Sequence, residues 1–88
     1  MQSWDLRTVE VAPHVPHIIS STEEARAIVL DLPAGQQMHE HQVHERTWIV
    51  VIEGEVEVSA SPQASAAGGP GFLFEFAPQE RHEVVARS

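Results

Sequence analysis

Short apolar segments separated by turn residues run through most of this chain, and no segment has the clear spacing of an amphipathic helix. The clearest are residues 47–52, followed by Glu53-Gly54, and residues 71–76. Another, residues 25–32, contains β-branched side chains and is followed by Pro33-Ala34-Gly35. Several short strands with turn signals at regular intervals predict an all-β sandwich or barrel.

A β-hairpin is predicted across residues 47–60, with its two-residue turn at Glu53 and Gly54. Glycine supplies the positive φ that such turns need. This register would pair the following residues on the inner face: Val51 with Val56, Ile49 with Val58, and Thr47 with Ala60. The outer face would then expose Trp48, Val50 and Ile52 unless another strand or another subunit covers them.

The remaining segments give further expectations of the same kind. Residues 3–11 alternate in polarity and are predicted to form a strand, whereas residues 61–70, rich in Ala, Ser, Gly and Pro, are predicted to form a flexible loop. The phenylalanines of residues 72–76 recur at period two and are assigned to the core, or to a pocket for an apolar ligand. Residues 82–87 are predicted to form a strand, and the sequence stops within it.

Composition limits the classes of protein that remain. The length of 88 residues predicts a single domain over residues 1–88. Thirteen acidic and five basic residues give a net charge of −8, which argues against binding nucleic acid or an anionic membrane. No apolar run approaches the roughly 20 residues of a membrane span. A cytoplasmic location is the default expectation, and because cysteine is absent, a metal site would use histidine, carboxylate and water.

Three of the six histidines lie within residues 39–44, directly ahead of the apolar segment. Side chains at i and i+2 of a strand project from the same face, so His39 and His41 are predicted to converge. A divalent metal ion is the commonest partner of paired imidazoles. Solvated histidines on a strand rim, or a pH-sensitive polar patch, are the simpler alternatives.

These segments resemble the small single-domain cupins, whose fold is a jelly-roll barrel also called the double-stranded β-helix. The first cupin motif has a glycine, then His-x-His, then glutamate and a closing glycine; here Gly35, His39-Glu40-His41 and Gly54 match it. The second motif has a glycine, a turn and a histidine, matched by Gly71, the predicted turn at residues 77–80 and His82. The resemblance covers residues 25–87 and leaves residues 1–24 as an N-terminal strand and a Pro/His-rich segment.

The resemblance implies a divalent metal ion, such as Zn, Fe, Mn or Ni, held by His39, His41 and His82 inside the barrel. Thr47 stands where the family usually has glutamate, so Glu45 is the expected fourth ligand, although it lies about 6–7 Å further along an extended strand. His44 is an alternative ligand in place of Glu45 or of His39; otherwise it is a histidine that does not bind the metal.

Family analogy implies dioxygenase, isomerase or decarboxylase chemistry on a small oxygen-bearing substrate. The alternative is a non-catalytic, degenerate or metal-free cupin that binds a small ligand or acts as an interaction module. The exposed stripe of Trp48, Val50 and Ile52 predicts a homodimer, with Trp4 and Leu6 of the N-terminal strand helping to cover it. The sequence ends within the strand predicted for residues 82–87. This end fits the predicted homodimer, in which the partner covers the open barrel, or a barrel whose last strand lies outside the given sequence.

Overall fold

The computed structural model describes the backbone of residues 1–41, 44–61 and 64–88, and within these ranges the side chains of all but residues 39–41 and 61. The chain forms β-strands and, in these ranges, no helix, so the prediction of an all-β protein is confirmed. The strands are β1 (His17–Ser21), β2 (Arg26–Val29), β3 (Gln37–His41), β4 (Thr47–Val50), β5 (Val56–Ser61), β6 (Ala64–Gly68), β7 (Leu73–Phe76) and β8 (His82–Ala86). None of the described residues belongs to a helix long and apolar enough to cross a membrane.

The chain divides into two compact units, residues 1–33 and residues 34–88. In the first unit, β1 and β2 form an antiparallel pair in which Ile18 lies opposite Ile28. The connection between them is closed at Thr22, whose backbone N–H donates to the carbonyl of Ala25 at 2.8 Å. The single domain over residues 1–88 stays a prediction.

The strand predicted for residues 3–11 is wrong, because Asp5 organises a turn there. The Arg7 guanidinium donates to both carboxylate oxygens of Asp5 at 3.1 and 3.2 Å, and the Arg7 backbone N–H donates to one of them at 3.0 Å. These hydrogen bonds lower the pKa of Asp5; those from the Arg7 side chain contribute most, and the one from the Arg7 backbone contributes less. The backbone N–H of Thr8 donates to the Asp5 carbonyl at 3.0 Å. Such local bonds compete with an extended backbone.

The second unit pairs its strands in a nested order. β5 pairs with β6, β4 pairs with β7, and β3 pairs with β8, all antiparallel. β8 also lies beside β5, which gives a four-stranded sheet in the order β3-β8-β5-β6 and a separate two-stranded sheet of β4 and β7. The strands of the described ranges therefore do not close into a barrel.

The predicted hairpin between β4 and β5 is wrong, although Gly54 has the expected positive φ of 79°. β4 instead pairs with β7, and the Val51 N–H extends this ladder by donating to the carbonyl of Phe72 at 3.0 Å. The backbone of Glu55, which the hairpin would have paired with Ile52, is bonded to the C-terminal segment: its carbonyl accepts from the Arg87 N–H at 2.7 Å. The turn thus carries the chain from one sheet to the other.

The loop predicted for residues 61–70 is also wrong over residues 64–68, which form β6; residues 62 and 63 lie outside the described ranges. Ala66 pairs with Val58 and Gly68 pairs with Val56 along the antiparallel ladder. Alanine, serine and glycine have little β-propensity of their own, so the neighbouring strand decides the conformation.

The core of the second unit comes from the inward faces of both sheets. Its buried apolar side chains are Val51, Val58, Phe74, Phe76, Val84 and Ala86. The prediction of aromatic core residues is thus confirmed for Phe74 and Phe76, whereas Phe72 is 45% exposed and contacts Phe74 with ring centroids 5.1 Å apart. The buried positions of β7 and β8 alternate as period two requires.

Candidate functional site

His82 is the buried polar residue among the described side chains, with 2% of its surface exposed. It begins β8, directly after the predicted turn at residues 77–80, which the Glu80 N–H closes by donating to the Ala77 carbonyl at 3.0 Å. The imidazole ring stacks on Phe76, with centroids 3.9 Å apart and planes inclined by 15°. A core position and an aromatic neighbour therefore fix the plane of this ring.

A hydrogen bond sets which nitrogen of His82 carries its proton. Nδ1 lies 3.2 Å from the backbone carbonyl oxygen of Glu80. Because a carbonyl oxygen only accepts, Nδ1 is the donor, and the neutral ring then has its lone pair on Nε2. Histidines that ligate metals are commonly held in this way, with one ring nitrogen donating to a carbonyl or carboxylate.

The ladder between β3 and β8 pairs His41 with His82. Further along the same ladder Met38 pairs with Val84, and a regular count of two residues from there would have paired Glu40 with His82. The ladder shifts by one residue between Met38 and His41, which is the irregularity of a β-bulge. This bulge, rather than simple alternation, brings a histidine of the sequence cluster to the position opposite His82. The side chains of His39 and His41 lie outside the described residues, so their role as ligands stays a prediction.

Thr47 stands at the position where the cupin motif has its glutamate. Thr47 is half-buried and lies opposite Phe76, the aromatic neighbour of His82. Its hydroxyl donates to the backbone carbonyl of Glu45 at 3.3 Å. Glu45 itself is exposed. The structure thus brings the threonine, rather than the predicted fourth ligand, to the strand position facing Phe76.

His44 is exposed, and its Nδ1 lies 3.4 Å from the side-chain nitrogen of Gln79. Gln79 belongs to the turn that precedes His82 and has a positive φ of 66°. A residue other than glycine seldom adopts this left-handed conformation. His44 therefore makes a surface contact to a strained turn.

Replacing Gln79 with glycine is expected to raise the free energy of unfolding by about 0.5–1 kcal/mol, because glycine adopts a positive φ without steric cost. The contact to His44 that it removes is exposed and long, at 3.4 Å, and Gln79→Ala removes the same contact. Urea unfolding of Gln79→Gly beside Gln79→Ala measures the effect, since only glycine relieves the backbone. Equal stability of the two variants would contradict the strain.

A pocket of about 320 Å³ opens beside Phe76, between β7 and the β5–β6 pair. Phe74, Phe76 and Val58 form much of its apolar wall, and Glu75 and Glu80 are its charged residues. The opposite wall consists of small residues of β6, among them Ala66. The sequence does not indicate this wall, because residues 61–70 are rich in Ala, Ser, Gly and Pro and predict a loop.

Among the side chains that the structure describes, no group of three or more His, Asp or Glu residues could hold a metal ion. Comparisons of the chain with protein-family models, with curated proteins and with solved structures returned no significant match. The resemblance to cupins therefore rests on the two sequence motifs.

Proposed function

We propose that the chain is a small cupin-like protein that binds a divalent metal ion, with His41 of β3 and His82 of β8 as ligands. The observation that carries this proposal is the pairing of these two residues across the antiparallel ladder. Residues directly opposite in such a ladder have Cβ atoms about 4.5–5.5 Å apart. Two imidazoles at that separation can meet at one ion with metal–nitrogen distances of about 2.0–2.1 Å.

The order of the strands supports a jelly-roll fold for this proposal. The nested pairs β5·β6, β4·β7 and β3·β8 describe one long two-stranded ribbon that folds back on itself. The additional pairing of β8 with β5 is what such a ribbon makes when it rolls up. This pattern of pairing supports the proposed jelly roll, a fold in which two facing sheets take the strands alternately.

The remaining ligands are assigned from the cupin motif. His39 completes a set of three imidazoles, with Glu45 or water as a further ligand. Thr47, which replaces the usual glutamate, leaves the proposed set with less negative charge than the family pattern. Zn, Fe, Mn and Ni all accept imidazole and carboxylate ligands.

A bound metal ion would supply Lewis acidity toward a small oxygen-bearing molecule. The chain's own contribution is to hold the His82 ring by the Glu80 carbonyl and by stacking on Phe76, which shields it from water. The pocket beside Phe76 would accept the apolar part of such a molecule. Dioxygenase, isomerase and decarboxylase reactions all occur among cupins, so the reaction has to be assigned by assay.

The second candidate function is a non-catalytic module that binds a small molecule without a metal ion. Two observations favour it: Thr47 in place of the carboxylate ligand, and an apolar pocket that includes Phe76. The two candidates differ in whether metal content depends on the histidine cluster.

Elemental analysis of protein purified without a histidine tag tests the first candidate. We expect one divalent ion per chain in the wild type, at least a tenfold loss in His41→Ala, and full content in His44→Ala, which is the matched control. Added Zn²⁺ should raise the free energy of unfolding of the wild type by about 2.7 kcal/mol at 100 times the Kd, and should leave His41→Ala unchanged.

Two further measurements keep this test decisive. Circular dichroism of the metal-free variants establishes that each is folded, and His41→Asp, which retains a ligand atom, should recover part of the metal binding. A folded His41→Ala variant with wild-type metal content would overturn the proposal. A wild type without metal, whose stability does not respond to Zn²⁺, would favour the second candidate.

A further inference from the structure

The β4–β7 pair has one face in the core and one apolar face turned outward. Val50 lies directly opposite Leu73, and Trp48 precedes them on the same outer face. Each of these three side chains is 56% exposed, and Ile52, just beyond β4, is 39% exposed. A contiguous apolar stripe on an exposed sheet face is typical of an interaction site rather than of ordinary surface. We refer to Trp48, Val50, Ile52 and Leu73 as the outer stripe.

The charges beside the outer stripe restrict what can cover it. Glu75, opposite Trp48, is paired with Arg46 at 3.0 Å. The Trp48 end of the stripe is thus bordered by a neutral ion pair, although the chain as a whole has a net charge of −8. A basic partner would find no free negative charge at this ion pair. Two copies of the chain, which repel elsewhere, meet least repulsion at this apolar face, where the charge near Ile52 is that of the exposed Glu53.

We infer that the outer stripe is an interface between two copies of this chain related by a two-fold axis. A two-fold interface uses the same patch on both subunits, so the patch has to be complementary to itself. An axis that runs along the line from Val50 to Leu73, between the two facing sheets, meets this requirement. It places Val50 against the partner's Val50 and Trp48 against the partner's Ile52.

The same axis places the Arg46–Glu75 ion pair over the partner's Gly71. Gly71 is exposed and has no side chain, and nothing lies within 4 Å of the place where a Cβ would stand. The ion pair can therefore remain at the rim, in contact with water. The N-terminal cover predicted from Trp4 and Leu6 stays a prediction; residues 5–8 form a turn rather than the predicted strand. This inference is independent of the metal site.

Tryptophan fluorescence reports on the outer stripe directly, because the chain has only two tryptophans, Trp4 and Trp48. In Trp4→Phe the emission of Trp48 should shift to shorter wavelength as protein concentration rises from nanomolar to high micromolar. Light scattering should show the mass doubling from 9.7 kDa over the same range. In Trp48→Phe the emission of Trp4 should stay constant.

A charge-swap experiment at the proposed axis identifies the interface. Val50→Glu and Val50→Lys each place like charges opposite one another in the homodimer, and each should weaken it by about 100-fold. Mixing the two variants should restore a dimer, because the carboxylate then meets an ammonium group. Ile28→Glu, at a 50% exposed position in the other unit, is the matched control and should dimerise normally.

Three results would overturn the inference: a wild type that stays monomeric at high micromolar concentration, a dimer unaffected by either change at Val50, or a dimer lost in Ile28→Glu. The last would place the contact on the β1–β2 pair instead. Because Val50 is exposed, both charged variants are expected to fold, and circular dichroism checks this.

Discussion

Replacing Phe76 with alanine is expected to lower the free energy of unfolding by about 3–5 kcal/mol. The side chain is 3% exposed, lies opposite Thr47 and stacks on His82, so its loss removes buried apolar surface and leaves a cavity beside a buried imidazole. Small domains have a total stability of about 5–15 kcal/mol. Much of the protein should therefore be unfolded well below the unfolding temperature of the wild type, as urea and thermal unfolding would show.

Two matched variants separate burial from stacking in this result. Phe72→Ala removes the same ring from a position that is 45% exposed and should cost less than half as much. Phe76→Leu keeps most of the volume but loses the stacked ring, and should cost about 1–2 kcal/mol. A cost of Phe76→Ala no larger than that of Phe72→Ala would contradict the central position of Phe76.

The strands around this core could largely be predicted from the sequence. The alternation of apolar residues that marks β7 and β8 reflects one buried and one less buried face, and each strand was expected near its observed position. The turn between them was expected as well. Its residues act locally, since the bonds that close it join Ala77 and Glu80, three residues apart. Turns closed by residues this near in the chain can be predicted from the sequence.

The partners of the strands could not be predicted in the same way. The dipeptide Glu53-Gly54 specifies a change of direction, and both a hairpin and a crossing between sheets satisfy it. The choice depends on whether Ile49 packs better beside Val58 or beside Phe74, which is a contact between distant parts of the chain. β6 was missed for the same reason, because Ala66 is extended only through its pairing with Val58.

The candidate site shows the same division. The burial of His82 follows from its place in an alternating strand, and the second cupin motif indicates the same residue. The position of His41 opposite His82 depends on the bulge in β3. A single extra residue in a ladder changes which side of the sheet each following residue occupies. A regular ladder continued from the Met38–Val84 pair would have placed Glu40 opposite His82.

Replacing Gly68 with alanine is expected to lower the free energy of unfolding by about 1–3 kcal/mol, although alanine is usually better than glycine in a strand. Gly68 is buried in β6, and the Phe72 side chain packs directly on its Cα. An added Cβ would overlap the ring at Cγ and would lie 2.6 Å from Cδ1 and 2.7 Å from Cβ of Phe72. The aromatic ring would have to move, and with it the contact to Phe74.

The neighbouring Gly69 provides the control for this prediction. A Cβ there would lie 2.5 Å from Oε1 of Glu55, which is the end of a flexible side chain and can swing away at little cost. Gly69→Ala should therefore change the stability by no more than about 0.5 kcal/mol. Urea unfolding of both variants measures the difference, and the double change Gly68→Ala with Phe72→Ala should recover much of the loss at Gly68. Equal costs at the two glycines would show that backbone freedom, rather than the packing of Phe72, decides the residue at this place in β6.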